Sequence, residues 1–203
     1  LTNIKARKSH IPIGISIGKN FDTSNENAYE DYKICMEKVY EFSSYIAINI
    51  SSPNTQDLRK LSGEQYLDSL LKELKIVQLE LSLNFGYRPI FLKISPDENS
   101  DNLENICKLI LKNEIDGIIC TNTTLEHNEK HGEGGLSGKP LSKKSTDTII
   151  TVKKFLGEEV TIIASGGVMS VADYSEKLAC GADLVQIYTG FIFEGPKLIQ
   201  DIL

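Results

Sequence analysis

The chain has 203 residues, 40% of them hydrophobic and 25% charged, with a net charge of -6. That composition belongs to an ordinary globular protein and argues against disorder. The acidic balance (pI near 5.2) removes any broad attraction to nucleic acid or anionic lipid, and no apolar run approaches the roughly 18 residues of a membrane-spanning helix.

In chain order, short β-branched apolar runs end abruptly in polar residues or glycine. They are IPIGISIGKN (11–20), YIAINISSPN (45–54), PIFLKISPD (89–97), GIICTNTT (117–124), VTIIASGG (160–167) and DLVQIYTG (183–190). Apolar residues in them do not alternate with polar ones, so each is predicted as a strand buried on both faces. Helical spacing fills the gaps. Tyr29, Tyr32, Met36, Val39 and Phe42 step by three or four within 26–43, and Leu67, Leu70, Leu71, Leu74, Val77 and Leu81 do so within 64–83. Shorter helices fit 101–113, 145–156 and 171–180, and a last one begins near 196.

This alternation predicts a parallel sheet wrapped by helices. An open doubly wound sheet concentrates its chemistry at one switch point. Here nearly every strand ends in polar residues: Asn49 and Ser52, Lys93, Thr121 and Asn122, Ser165 with Gly166, Tyr188 with Thr189. That distribution fits a TIM (β/α)8 barrel, whose site is built from many βα-loops on one face. Six strands are present where a closed barrel takes eight, and no strand–helix pair precedes Ile11. The expectation is therefore one domain over 1–203, the C-terminal three-quarters of a single barrel, incomplete at its N-terminus.

Cys35, Cys107, Cys120 and Cys180 are widely spaced and lack a C-x-x-C pair, so they read as reduced thiols. His10, His127 and His131 form no metal-binding pattern, and no metal is expected. The chemistry lies instead at the strand ends. N-I-S-S-P-N-T (49–55) places two asparagines and three hydroxyls at a barrel mouth, where Asn, donor and acceptor at once, suits the edge of a planar heterocycle. Lys93, in an otherwise apolar strand, needs an anion or an electron-rich acceptor such as the N1–C2=O edge of an isoalloxazine. A-S-G-G-V (164–168) and I-Y-T-G-F (187–191) supply glycines and backbone N–H groups for a phosphate, where barrels often bind one. H-G-E-G-G-L-S-G-K-P (131–140) is a glycine-rich loop, either a ligand contact or a lid.

Taken together and in this order, N-I-S-S-P-N-T, L-K-I-S-P-D, T-N-T-T, G-G-L-S-G-K-P-L, A-S-G-G-V and G-A-D-L-V-Q-I-Y-T resemble the dihydroorotate dehydrogenase family from about Ile11 to the C-terminus. The resemblance implies an FMN-containing barrel that oxidises dihydroorotate to orotate in pyrimidine biosynthesis. Serine at position 52, where soluble class 1 members carry a cysteine, implies the quinone-dependent, membrane-associated class 2. Carried over by position, Ser52 is the implied base at C5 of dihydroorotate, with Thr55 and a water relaying the proton. Asn49, Asn54, Asn122 and Thr123 are the implied substrate contacts. Asn49, Lys93, Thr121 and Gly138 are the implied flavin contacts, and Gly166, Gly167, Tyr188 and Thr189 the phosphate cradle.

Three departures from the family pattern stand out. Ser16 replaces an asparagine common in the first strand present here. The family's earlier strand motif with a lysine near the substrate, and its Asn-Arg-Tyr-Gly-Phe loop, have no counterpart in these residues. Nor do the N-terminal helices that form the quinone tunnel and meet the membrane, so membrane association is expected through that missing segment. The class 2 resemblance implies the mitochondrial inner membrane in a eukaryote and the cytoplasmic membrane in a bacterium. Two other readings compete: a non-catalytic FMN- or phosphate-binding barrel fragment, and an FMN barrel oxidoreductase acting on another heterocycle.

Overall fold

A computed structural model describes residues 2–6, 9–55, 57–128, 132 and 134–203. His131 and Glu133 of the glycine-rich stretch lie outside the described residues. Among those described, six strands form one parallel sheet in sequential order: β1 (Gly14–Ile17), β2 (Tyr45–Asn49), β3 (Ile90–Ile94), β4 (Gly117–Cys120), β5 (Thr161–Ser165) and β6 (Leu184–Gln186). The helices are α1 (Thr2–Lys5), α2 (Ala28–Val39), α3 (Glu64–Phe85), α4 (Ser100–Lys112), α5 (Ser142–Leu156), α6 (Val171–Ala179), α7 (Thr189–Glu194) and α8 (Pro196–Ile202).

Local chemistry sets several boundaries. The Asn99 side chain accepts the Asn102 N–H and starts α4 at 2.8 Å, and Ser170 accepts the Asp173 N–H and starts α6. Helix α3 buries Leu67, Leu70, Leu71, Leu74 and Val77, the predicted stripe, and stops at Gly86, whose φ of 75° suits glycine. Each buried leucine of that stripe contributes roughly 1.5–3 kcal/mol of burial free energy.

Two apolar zones lie on opposite faces of the sheet. The larger fills the space between strands and helices, with Ile46, Ile48, Ile90, Leu92, Ile118 and Ile162 from the sheet. The smaller holds Ala47, Phe91, Ile119 and Ile163, with Tyr45 packed against them. The Tyr45 and Phe91 rings meet edge to face at 5.4 Å. Gly117 makes room for them, since a Cβ there would lie 2.2 Å from the Phe91 ring and 2.6 Å from the Thr161 carbonyl. Gln186 on β6 donates to Tyr45 Oη on β2 at 3.2 Å. A bond between strands that far apart in the order requires the sheet to curl. The architecture is six strands of a (β/α)8 barrel, with the small zone as its interior.

Where strands begin, Asp116 fastens the barrel floor. Its carboxylate accepts from Tyr87 Oη (2.5 Å), the Ile90 N–H (2.9 Å) and Gln78 Nε2 (3.0 Å). Tyr40 Oη accepts the Arg88 N–H and donates to the Gln78 carbonyl.

Three expectations need correction. Strands β2 to β5 are covered on both faces as predicted, but β1 and β6 are not, because each is a sheet edge; Leu184 is 56% exposed. The last strand stops at Gln186, and Thr189 and Gly190 open α7, which periodicity did not predict. The 26–43 helix is regular only from Ala28 to Val39, with a 3-10 turn at either end.

Candidate active site

Side chains two residues apart on a strand share a face. Asn49, Lys93 and Ser165 each lie two positions beyond an interior apolar residue, Ala47, Phe91 and Ile163 respectively. Asn49 pairs in register with Lys93, and Ser165 with Gln186. Ser16, in register with Ala47, occupies the equivalent face of β1. The interior thus changes from apolar to polar at the C-terminal ends of the strands. This is the physical origin of the site: the floor is packed dry, and the rim presents hydrogen-bonding groups.

At the β2 and β4 ends the rim is tightly wired. Asn49 Oδ1 accepts from the Ser51 N–H (3.1 Å), Ser51 Oγ (3.0 Å) and Asn122 Nδ2 (3.2 Å). Ser51 Oγ also lies 2.8 Å from the Lys93 carbonyl and 3.2 Å from Asn122 Nδ2. Asn122 Oδ1 accepts the Thr123 N–H at 2.8 Å. Ser52, half-buried in the loop after β2, accepts the Asn54 N–H on its Oγ at 3.3 Å. Thr55 uses its carbonyl to start the 3-10 turn at Leu58. Asn54 is exposed. The glycine loop crosses this rim: a Cβ on Gly135 would lie 1.9 Å from Thr123 Oγ1 and 2.9 Å from Pro53.

Beside the wired rim lies a cavity of about 470 Å³, within the roughly 300–1,000 Å³ usual for small-molecule sites. Lys93, Thr121, Asn122, Thr123, Gly138, Gly166, Gly167, Tyr188 and Thr189 all line it. Asn49 reaches it through Asn122. Ser52, Asn54 and Thr55 are not in its wall; they sit on the neighbouring β2 loop.

Ser137, Ser165 and Gln186 also line the cavity; Ser165 was read as a polar strand end, but none of the three was assigned a ligand. Gln186 had a signal, being a polar residue inside the apolar run L-V-Q-I-Y, as Lys93 is in its own strand. Ser137, bonded to Thr189 Oγ1 at 3.0 Å, had none.

A larger depression of about 550 Å³ lies between residues 19–26 and Asp57, Lys60 and Tyr66. Its buried lysine, Lys19, already donates to the carbonyls of Asn20 and Thr23, so the smaller cavity holds the available chemistry.

Two features of that cavity match a flavin phosphate cofactor. Burial pulls the Lys93 ammonium below the usual lysine range, and among the described residues it has no hydrogen-bond acceptor or ion-pair partner. An electron-rich ring edge would supply one. At the other end the backbone is closely approached: a Cβ on Gly167 would lie 2.2 Å from Ser142 Cα, and one on Gly190 2.2 Å from the Val168 carbonyl. Such close approach admits only glycine, and the backbone N–H groups of a glycine turn suit an anion such as phosphate.

Comparison with known proteins decides the family. The family model for dihydroorotate dehydrogenase matches residues 1–203. The chain belongs to the dihydroorotate dehydrogenase family. Proteins named dihydroorotate dehydrogenase (quinone) from Vibrio parahaemolyticus and Aliivibrio salmonicida are each 50% identical over 208 residues, covering 99% of this chain and 62% of theirs. The class 2 resemblance that rests on Ser52 agrees with those names. The ferulenol complex of the Eimeria tenella enzyme superposes with a TM-score of 0.89 at 32% identity, over 99% of this chain and 58% of that one. The ligand-free form gives 0.87 at 35%, over 96% and 58%. The chain therefore spans about three-fifths of the length of the family members it matches.

Proposed function

We propose that this chain forms the catalytic rim of a quinone-dependent dihydroorotate dehydrogenase, which oxidises dihydroorotate to orotate in pyrimidine biosynthesis. The observation that carries the reading is the Asn49–Ser51–Asn122 network beside the Lys93 ammonium, which has no partner among the described residues, on the rim of one cavity. Asparagines locked by their own hydrogen bonds present fixed donors and acceptors to a pyrimidine edge, which lowers the ordering cost of binding.

FMN would supply the hydride acceptor for C6 of the substrate. Lys93 would hold an electron-rich edge of its ring, with Asn49, Thr121 and Gly138 beside it, and Gly166, Gly167, Tyr188 and Thr189 would hold the phosphate end. Asn49, Asn54, Asn122 and Thr123 bind the pyrimidine and its carboxylate. Ser52 removes the proton from C5. A serine is a weak base, so a relay through Thr55 and water to solvent is part of the proposal. Quinone is the final electron acceptor, at a membrane. The bacterial relatives favour the cytoplasmic membrane; the mitochondrial inner membrane applies to a eukaryotic source. No helix among the described residues is long and apolar enough to cross a bilayer.

The test is anaerobic addition of dihydroorotate to the full-length gene product with its flavin bound. Bleaching of the visible flavin band, with orotate formed in equal amount and colour restored by a quinone, is the expected result. Bound flavin that dihydroorotate never bleaches would overturn the reading in favour of a non-catalytic flavin-binding protein.

A further inference from the structure

The loops that follow β2, β3 and β4 are joined on their outer side by one guanidinium. Arg59 Nε donates to the Ser51 carbonyl at 3.2 Å, one terminal nitrogen donates to Asp97 Oδ2 at 2.7 Å, and the other to the Thr123 carbonyl at 2.9 Å. Ser51 precedes Ser52 directly, and Thr123 follows Asn122. The three acceptors come from three different βα-loops, and only a planar fork of fixed donors reaches all of them at once.

Asp97 fixes that fork. Its carboxylate also accepts from Lys144 Nζ (2.5 Å), Thr124 Oγ1 (2.5 Å) and the Leu125 N–H (2.8 Å). The pair is largely shielded, with side chains 21% and 13% exposed for Arg59 and Asp97. A screened surface ion pair would contribute little. This one is multiply hydrogen-bonded, and its geometry is held from both partners.

The geometry points to Arg59 as a positioning residue: held by Asp97, it sets the distance between the Ser52 turn and the Asn122–Thr123 strand end, and so places the proton acceptor against the bound substrate. Arg59 is not in the wall of the 470 Å³ cavity and acts through the backbone carbonyls it binds. The assignment rests on the reading of Ser52 as the base. It goes further in separating binding from proton transfer. Asn49, Ser51 and Asn122 fasten the rim from the inner side through their own bonds, so substrate affinity survives loss of Arg59 while alignment of Ser52 does not.

The experiment uses the full-length gene product with flavin bound and compares Arg59→Lys, Asp97→Asn, Ser52→Ala and the double variant Arg59→Lys with Ser52→Ala. Flavin content, orotate affinity from the flavin spectrum, and the rate of flavin reduction by dihydroorotate are measured on each. Arg59→Lys keeps a cation for Asp97 but cannot span both carbonyls. Its reduction rate is expected to fall about 10- to 100-fold, the scale of a misplacement near 1 Å, with flavin content and orotate affinity within about twofold. Asp97→Asn is expected to follow in the same direction. In the Ser52→Ala background the lysine substitution is expected to add less than about threefold, because residues acting as a unit are not additive.

A wild-type protein whose flavin is not bleached removes the functional reading and this assignment with it. With bleaching intact and Ser52→Ala impaired, three results overturn the assignment alone. One is Arg59→Lys reducing at the wild-type rate, and another is a full multiplicative loss in the double variant. The third is loss of flavin or of folded protein in both Arg59→Lys and Asp97→Asn, which makes the network structural support only.

Discussion

On the proposed reading that the 165–168 turn cradles the flavin phosphate, Gly167→Ala separates a steric requirement of that cradle from the general strain of a residue with positive φ. Gly167 has φ 78°, and an added Cβ would lie 2.2 Å from Ser142 Cα and 2.5 Å from its nitrogen. Ordinary contact begins near 3.4 Å. Either the 165–168 turn or the first residue of α5 must therefore move by about an ångström, and both belong to backbone. Gly157, with φ 59° and nothing within 4 Å of the point a Cβ would occupy, supplies the control. Alanine at either position costs about 1–3 kcal/mol of backbone strain. Only at 167 is the cradle displaced. Losing two charge-assisted hydrogen bonds to a phosphate, at about 1.5–3 kcal/mol each, corresponds to about 100-fold or more in Kd. Gly138→Ala falls between them, since its Cβ would meet Thr189 Cγ2 at 2.9 Å, a side-chain atom that can move. Flavin fluorescence titration of the three apoproteins measures the series, with urea unfolding to record the shared strain. Equal flavin affinity for Gly167→Ala and Gly157→Ala would refute the reasoning.

Lys93→Met keeps the stem and removes the cation, so flavin binding should weaken by about 10-fold or more, the scale of a hydrogen bond to a charged group; unchanged affinity in the same titration would place the ammonium away from the ring. Asp116→Ala leaves the Tyr87 hydroxyl and the Ile90 N–H without their acceptor and removes one of the two that the Gln78 amide has, and should lower stability by about 2–4 kcal/mol in urea. Flavin affinity should not change, because this network lies at the opposite ends of the strands. Burial alone would raise the Asp97 pKa, but the bonds from Lys144, Thr124, the Leu125 N–H and Arg59 outweigh it and hold the group at about 2. A depressed carboxylate stabilises the fold above its ordinary pKa and loses that contribution as pH falls from about 4 towards 2, here about 1–2 kcal/mol after solvent screening. Unfolding midpoints at pH 5 and pH 2.5 should show a larger acid loss for wild type than for Asp97→Asn.

Local order along the chain was enough for the parts of this protein that depend on neighbours in sequence. Stripes of Leu67 to Val77 mark α3 because helical periodicity is a property of one segment. Lys93 stands out because an ammonium inside an apolar run is costly wherever that run folds. Six motifs in fixed order carried the family, and five of them contribute residues to one cavity because parallel strands all end on the same side. Segments whose environment is set from elsewhere were not legible. Residues 183–190 read as one apolar strand, yet the chain turns into α7 after Gln186, and β1 and β6 are exposed because pairing partners, not side chains, decide which strand is an edge. Arg59 looks like any loop arginine in sequence. Its partners Asp97 and Thr123 are 38 and 64 residues away, and only the curling of the sheet brings the three loops within reach of one guanidinium.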